Sequence, residues 1–115
     1  MAVLEQEEFA RHLNTKFRIH LNEAETVEAE LTNVSPLLVS DRQQRFSITF
    51  RTLNETQLEQ GMRQFEHDQM GRFDLFIVPI ERSDEGTYYE ALFNRLIKQY
   101  LLTISSVMAN TLRAA

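Results

Sequence analysis

Phe73-Asp-Leu-Phe-Ile-Val-Pro-Ile80, then Ser83-Asp-Glu-Gly-Thr87, then Tyr88-Tyr-Glu-Ala-Leu-Phe-Asn94, is the stretch on which the fold turns. Two apolar runs flank a polar loop that closes on glycine, the pattern of a β-hairpin. Side chains of a strand alternate between its faces, so Phe73, Leu75 and Ile77 share one side and Phe76, Val78 and Ile80 the other. A strand apolar on both faces is expected in the middle of a sheet, covered on its far side by a second layer.

Working outward, the same period recurs upstream. Phe17, Ile19 and Leu21 alternate with Lys16, Arg18 and His20, and Val27, Ala29 and Leu31 with Thr26, Glu28, Glu30 and Thr32. These two segments are expected to form a hairpin pairing Leu21 with Val27. His20 would then face Glu28 and Arg18 face Glu30, each such pair contributing about 0.2–1 kcal/mol. A third strand is expected with Phe46, Ile48 and Phe50 inward. Residues 62–67, where Arg63, Phe65 and His67 alternate with Met62, Gln64 and Glu66, read as an edge or end strand. Between the second and third strands, Pro36 interrupts regular pairing and the trio Leu37, Leu38 and Val39 either tucks under the sheet or stays exposed. Asp68-Gln-Met-Gly71 and Asp84-Glu-Gly86 share one turn logic: Asp opens and Gly supplies a positive φ.

Residues 4–14 read as a short acidic helix with Leu4, Phe9 and Leu13 near one face. At the other end, Leu96, Ile97, Tyr100, Leu101, Ile104, Val107, Met108 and Leu112 recur at helical spacing between Asn94 and Arg113. An amphipathic helix of about five turns is expected there, the natural cover for the apolar strand. The expected fold class is therefore α+β: an antiparallel sheet of five or six strands curling toward a barrel, a short N-terminal helix and a long C-terminal amphipathic helix. The division expected is 1–94 for the mainly β domain and 95–115 for the helix.

Composition bounds the function. The chain has 115 residues, 43% hydrophobic, with eight Phe, enough for one domain with a sizeable core. A net charge of −5 and no run of Lys or Arg disfavour nucleic acid and anionic membrane surfaces as partners. There is no cysteine, which excludes disulfides, thiolate metal sites and Cys nucleophiles and suits a reducing cytoplasm. The N-terminus lacks the basic flank and apolar core of a secretory signal. The nearly uncharged segment Gln99–Leu112 is shorter than the roughly twenty residues of a membrane span.

Catalytic patterns are absent from the sequence. Three glycines cannot build a phosphate-cradling loop, and no Gly-x-Ser-x-Gly elbow occurs. His12, His20 and His67 fall on different elements, so no metal site and no cofactor are expected. Asp74, inside the apolar strand, reads as a rim ion-pair partner of Arg72, Arg63 or Arg82; a hydrolase or isomerase would need a second titratable group facing it. The expected function is a non-enzymatic interaction or assembly module, its partner a protein or a second copy in a homo-oligomer. The interface residues would be Ile97, Tyr100, Leu101, Ile104, Val107 and Met108. The alternative is a small apolar ligand held in the curled sheet, with His67, Tyr88 and Tyr89 as polar orienters.

Phe46-Ser-Ile-Thr-Phe-Arg51, Gln60-Gly61, Phe65-Glu-His67, Gly71-Arg-Phe-Asp-Leu-Phe-Ile-Val-Pro-Ile80 and Tyr89-Glu-Ala-Leu-Phe-Asn94 together resemble a family of small bacterial domains of unknown function, over about residues 9–94. The resemblance implies a small, mainly β domain with no established catalytic residues. Relatives encoded near phage-tail-like proteins add weight to an assembly role. Arg63 and Asp68 depart from the family pattern, which has an apolar or aromatic residue and a proline there. Relatives stop near the position of Asn94, so the terminal helix would be an addition.

Overall fold

In a computed structural model, which describes residues 4–53 and 57–96, the alternating segments become seven strands in one antiparallel sheet. A helix, α1 (Gln6–Arg11), precedes β1 (Lys16–His20), β2 (Thr26–Val34), β3 (Leu38–Val39), β4 (Gln43–Thr52), β5 (Gly61–His67), β6 (Gly71–Ser83) and β7 (Gly86–Leu96). The order is β2-β1-β5-β6-β7-β4, and β2 pairs with β4 as well, so six strands close into a barrel. The two-residue β3 hangs on the beginning of β4. Closure pairs β2 with β4, the two strands that would otherwise lie at the edges of the sheet. Bulges help the sheet curl: the β2–β4 ladder slips between Leu31 and Asn33, and the β6–β7 ladder between Pro79 and Glu81.

The interior is built by the inward set of each alternation. Phe17 and Ile19, Val27, Ala29 and Leu31, Phe46, Ile48 and Phe50, Phe65, Leu75 and Ile77, and Tyr89 and Ala91 are all buried. Rings dominate the packing: Phe17 meets Phe50 edge-on at 5.1 Å, and Phe65 lies 4.8 Å from Phe50. α1 plugs one end. Its Phe9 is fully buried among Phe46, Phe73 and Phe93. Arg95 of β7 ties the start of α1 down by donating to the Leu4 carbonyl and to the Glu5 carboxylate. At the other end the chain crosses from β4 to β5, and buried Leu58 donates its backbone N–H to the Tyr89 hydroxyl at 2.8 Å.

Several expectations are corrected. The fold is not α+β with a sheet and a long covering helix; it is a mostly antiparallel β barrel whose described residues contain one short helix. Asn94, where the terminal helix was expected to begin, continues β7, which pairs with β4 as far as Leu96 opposite Gln43. Residues 97–115 lie outside the described ones. The segment 62–67 is no edge: β5 sits between β1 and β6. The β1–β2 register differs by two residues from the expected one, with Ile19 opposite Val27 and Arg18 opposite Glu28. The turn accounts for it. Asn22 accepts the backbone N–H groups of Ala24 and Glu25, and the Leu21 N–H bonds to the Glu25 carbonyl, so Leu21 belongs to the loop. An even slip keeps every side chain on its predicted face. Leu37, Leu38 and Val39 are exposed.

Candidate functional site: the outer face of β5, β6 and β7

Because Leu75 and Ile77 point into the barrel, Phe76 and Val78 must point out. Across the ladder Phe76 stands opposite Met62 of β5, and Val78 opposite Glu90 of β7. Two residues beyond Glu90, Leu92 leaves the same side of β7, between buried Ala91 and half-buried Phe93. Met62 is 64% exposed, Phe76 51%, Val78 36% and Leu92 70%. Ile80, the extra residue of the β6 bulge, adds another exposed aliphatic group. Clustered apolar side chains on one sheet face differ from singly scattered ones and make this face the candidate contact surface.

The opposite wall contrasts with it. On β1, β2 and β4, outward Lys16 pairs with Glu28 and Glu30, Arg51 with Glu30, and Arg18 with Glu66 of β5, all between strands. Glu66 of β5 gathers His20, Arg18 and Arg72 around it. The hydrogen bond from His20, with those from Arg18 and the charges of Arg72 and Arg18, holds the Glu66 carboxyl below its ordinary range against some desolvation. On the apolar wall, Asp74 stands opposite Gln64 and is exposed, and neither Asp74 nor Glu90 has an ion pair within 4 Å among the described residues. One wall is polar and paired; the other is apolar with a small unpaired acidic component.

The residues singled out from the sequence do not converge. His67 is buried at the α1 end. Its Nδ1 accepts the backbone N–H groups of Gln69 and Met70, its Nε2 lies 3.1 Å from the Thr15 hydroxyl, and its ring packs on His12 and Phe17. Both ring nitrogens are thus engaged inside the protein. Tyr89 is buried at the far end against Leu58, while Tyr88 points outward and donates to Glu85. The interface residues Ile97, Tyr100, Leu101, Ile104, Val107 and Met108 lie outside the described residues. A groove of about 530 Å³ between Gln57–Glu59 and Pro79–Arg82 touches Thr87 and Tyr89. No cluster of three or more His, Asp or Glu suited to a metal occurs among the described residues. No helix among them is long and apolar enough to cross a membrane.

Met62 and Leu92 were missed by the sequence reading, although a signal for each was present. Counting outward from the Asp68–Met70 turn, His67 meets Gly71 and Met62 meets Phe76. Leu92 follows from the parity of Tyr89, Ala91 and Phe93. No curated protein and no solved structure matches the chain. A family profile matches residues 4–93, from the residue before α1's cap to the last inward aromatic of β7, so the chain belongs to the family described as a domain of unknown function, DUF6916.

Proposed function

We propose that the protein is a non-enzymatic interaction or assembly module that docks a protein partner, or another copy of itself, on the outer face of β5, β6 and β7. The observation that carries the reading is the outward set Met62, Phe76, Val78 and Leu92 on a barrel whose opposite wall is covered with paired charges. Covering such side chains removes apolar area from water at about 25 cal/mol per Å². The rim of Asp74 and Glu90, without ion pairs among the described residues, would select a partner with basic groups beside its apolar ones. The small-ligand reading has less support, since rings pack the barrel interior and His67 and Tyr89 stand at opposite ends.

Sedimentation of the full chain tests the proposal. Wild type is expected to associate with rising concentration, and Met62→Lys/Phe76→Lys to remain monomeric with an unchanged circular-dichroism spectrum, because both side chains point away from the core. A wild-type chain that stays monomeric would overturn self-docking, and substitutions that leave its solubility unaffected would overturn this face as an apolar contact surface.

A further inference from the structure

We infer that the occupant of the β5–β6–β7 face is the C-terminal segment, residues 97–115, of a second copy of this chain; the inference rests on the docking face proposed above. Three observations point to this occupant. The first is chemical. The segment is the longest apolar run without an acid, and its only charges are Lys98 and Arg113, two cations in a chain whose total is −5. The face it would meet is apolar with Asp74 and Glu90 unpaired among the described residues. Apolar side chains flanked by cations fit apolar side chains flanked by carboxylates.

The second is where the described chain ends. β7 stays paired to β4 through Leu96, and Arg95 is fastened to Leu4 and Glu5 at 2.6 and 2.9 Å. The chain therefore leaves at the α1 end, heading away from Phe76 and Val78. To cover its own face it would have to reverse at once. Yet no Gly, Pro, Asn, Asp or Ser occurs from Ile97 through Ile104, the residues that make tight reversals inexpensive. A neighbouring copy can receive the segment without such a turn.

The third is reach. Residues 97–115 span about 28 Å if coiled and about 60 Å if extended, enough to lie across the strands of a partner barrel. Two copies that exchange segments about a two-fold axis bury two equivalent contacts and leave neither face open, which closes the assembly at a dimer.

A site-directed photo-crosslink decides the matter in the full chain. Phe76→Cys introduces the sole thiol, because the sequence has none, and carries a thiol-linked photo-crosslinker. Equal amounts of ¹⁵N-labelled and unlabelled protein are mixed in urea, refolded together so that subunits redistribute, irradiated and digested with trypsin, which releases Gln99–Arg113 as one peptide. The expected product joins the residue-76 peptide of one isotope to the Gln99–Arg113 peptide of the other. Leu101→Asn/Ile104→Asn, which adds no trypsin site, is expected to abolish that product and the dimer, and mixing this variant with Met62→Lys/Phe76→Lys to restore a heterodimer through the one intact contact. Products of single isotope only would mean that the segment folds back on its own face, which overturns the inference and the docking proposal together. Mixed-isotope products joining the residue-76 peptide to another β5–β7 peptide would mean that the two faces meet each other, which overturns the inference alone. A chain giving neither product also overturns it.

Discussion

His67 shows how one polar residue can be held inside an aromatic core. Its Nδ1 receives two backbone N–H groups at 3.1 and 3.2 Å, so the ring proton must sit on Nε2, where it is donated to Thr15, whose own hydroxyl donates to the His12 carbonyl. The arrangement links the end of β5, the turn after it and the corner between α1 and β1. Protonation at Nδ1 would set a donor against two donors. Burial, and then the neighbouring His12, push the His67 pKa down, with Asp68 opposing and Arg18 adding to the depression. The unfolded chain therefore takes the proton first. Stability contributed by neutral His67 is full above the ordinary histidine range near pH 6.5 and is lost as pH falls through the lower folded value. Urea midpoints measured between pH 7.5 and 5, in steps of about half a unit, should fall more steeply for wild type than for His67→Asn. The asparagine oxygen can keep the turn N–H groups satisfied without titrating. Parallel slopes would remove His67 from the acid response.

Two glycines that look alike in sequence differ once neighbours are known. Gly71 and Gly86 both close an Asp-opened turn, with φ of 80° and 133°. A Cβ on Gly71 would meet nothing within 4 Å, whereas one on Gly86 would overlap the Thr52 carbonyl oxygen of β4. Gly71→Ala should cost about 1–2 kcal/mol from the backbone conformation alone. Gly86→Ala should cost clearly more, because a β4 carbonyl held in the barrel wall must also move. Thermal or urea unfolding of the two variants checks the order.

At the level of elements, α1 is short and weakly specified. Its N-cap Glu5 makes no side-chain cap bond, and six residues lie well below the length at which an isolated helix is stable. Tertiary contacts hold it. The β6–β7 ladder begins at Val78 and Glu90, so the strand ends carrying Phe73 and Phe93 are not laddered to each other. Phe9 fills the space between them and also touches Phe46. Gln6 donates to the Ser35 carbonyl and Arg95 anchors Leu4 and Glu5, fixing the helix from two sides. Phe9→Ala should destabilise by about 3–5 kcal/mol and, uniquely among core truncations, raise hydrogen exchange first in 71–75 and 91–95. Uniform loss of protection across the barrel would show that α1 is not a separate plug.

For the molecule as a whole, the decisive fact is closure. A barrel has no outer layer of its own, so an apolar residue on the outside of β6 has no second sheet or helix supplied by the fold. The interior and the charged wall satisfy themselves through aromatic packing and ion pairs. Met62, Phe76, Val78 and Leu92 find no such cover among the described residues, which leaves one wall of the described barrel apolar and exposed. Phe76 and Val78 on the far side of an apolar strand were visible in the sequence as a surface needing cover. That no described element supplies the cover emerged only from the assembled strands.

The sequence by itself determined which side of β1, β2 and β4 faces inward, because the alternation of apolar and polar residues is a local property of the pleated backbone; β6, apolar on both faces, was decided only by the fold. It determined the turns at Asp68–Gly71 and Asp84–Gly86, the hairpins they close and the absence of thiol chemistry. Which strands become neighbours was decided only in three dimensions. The pairs β1–β5, β2–β4 and β4–β7 join segments far apart in the chain, and period two carries no information about which distant edge a strand will meet. Closure depends on those pairings. With them come the place of β5 inside the ring, the burial of His67, the crowding at Gly86 and the isolation of one apolar wall.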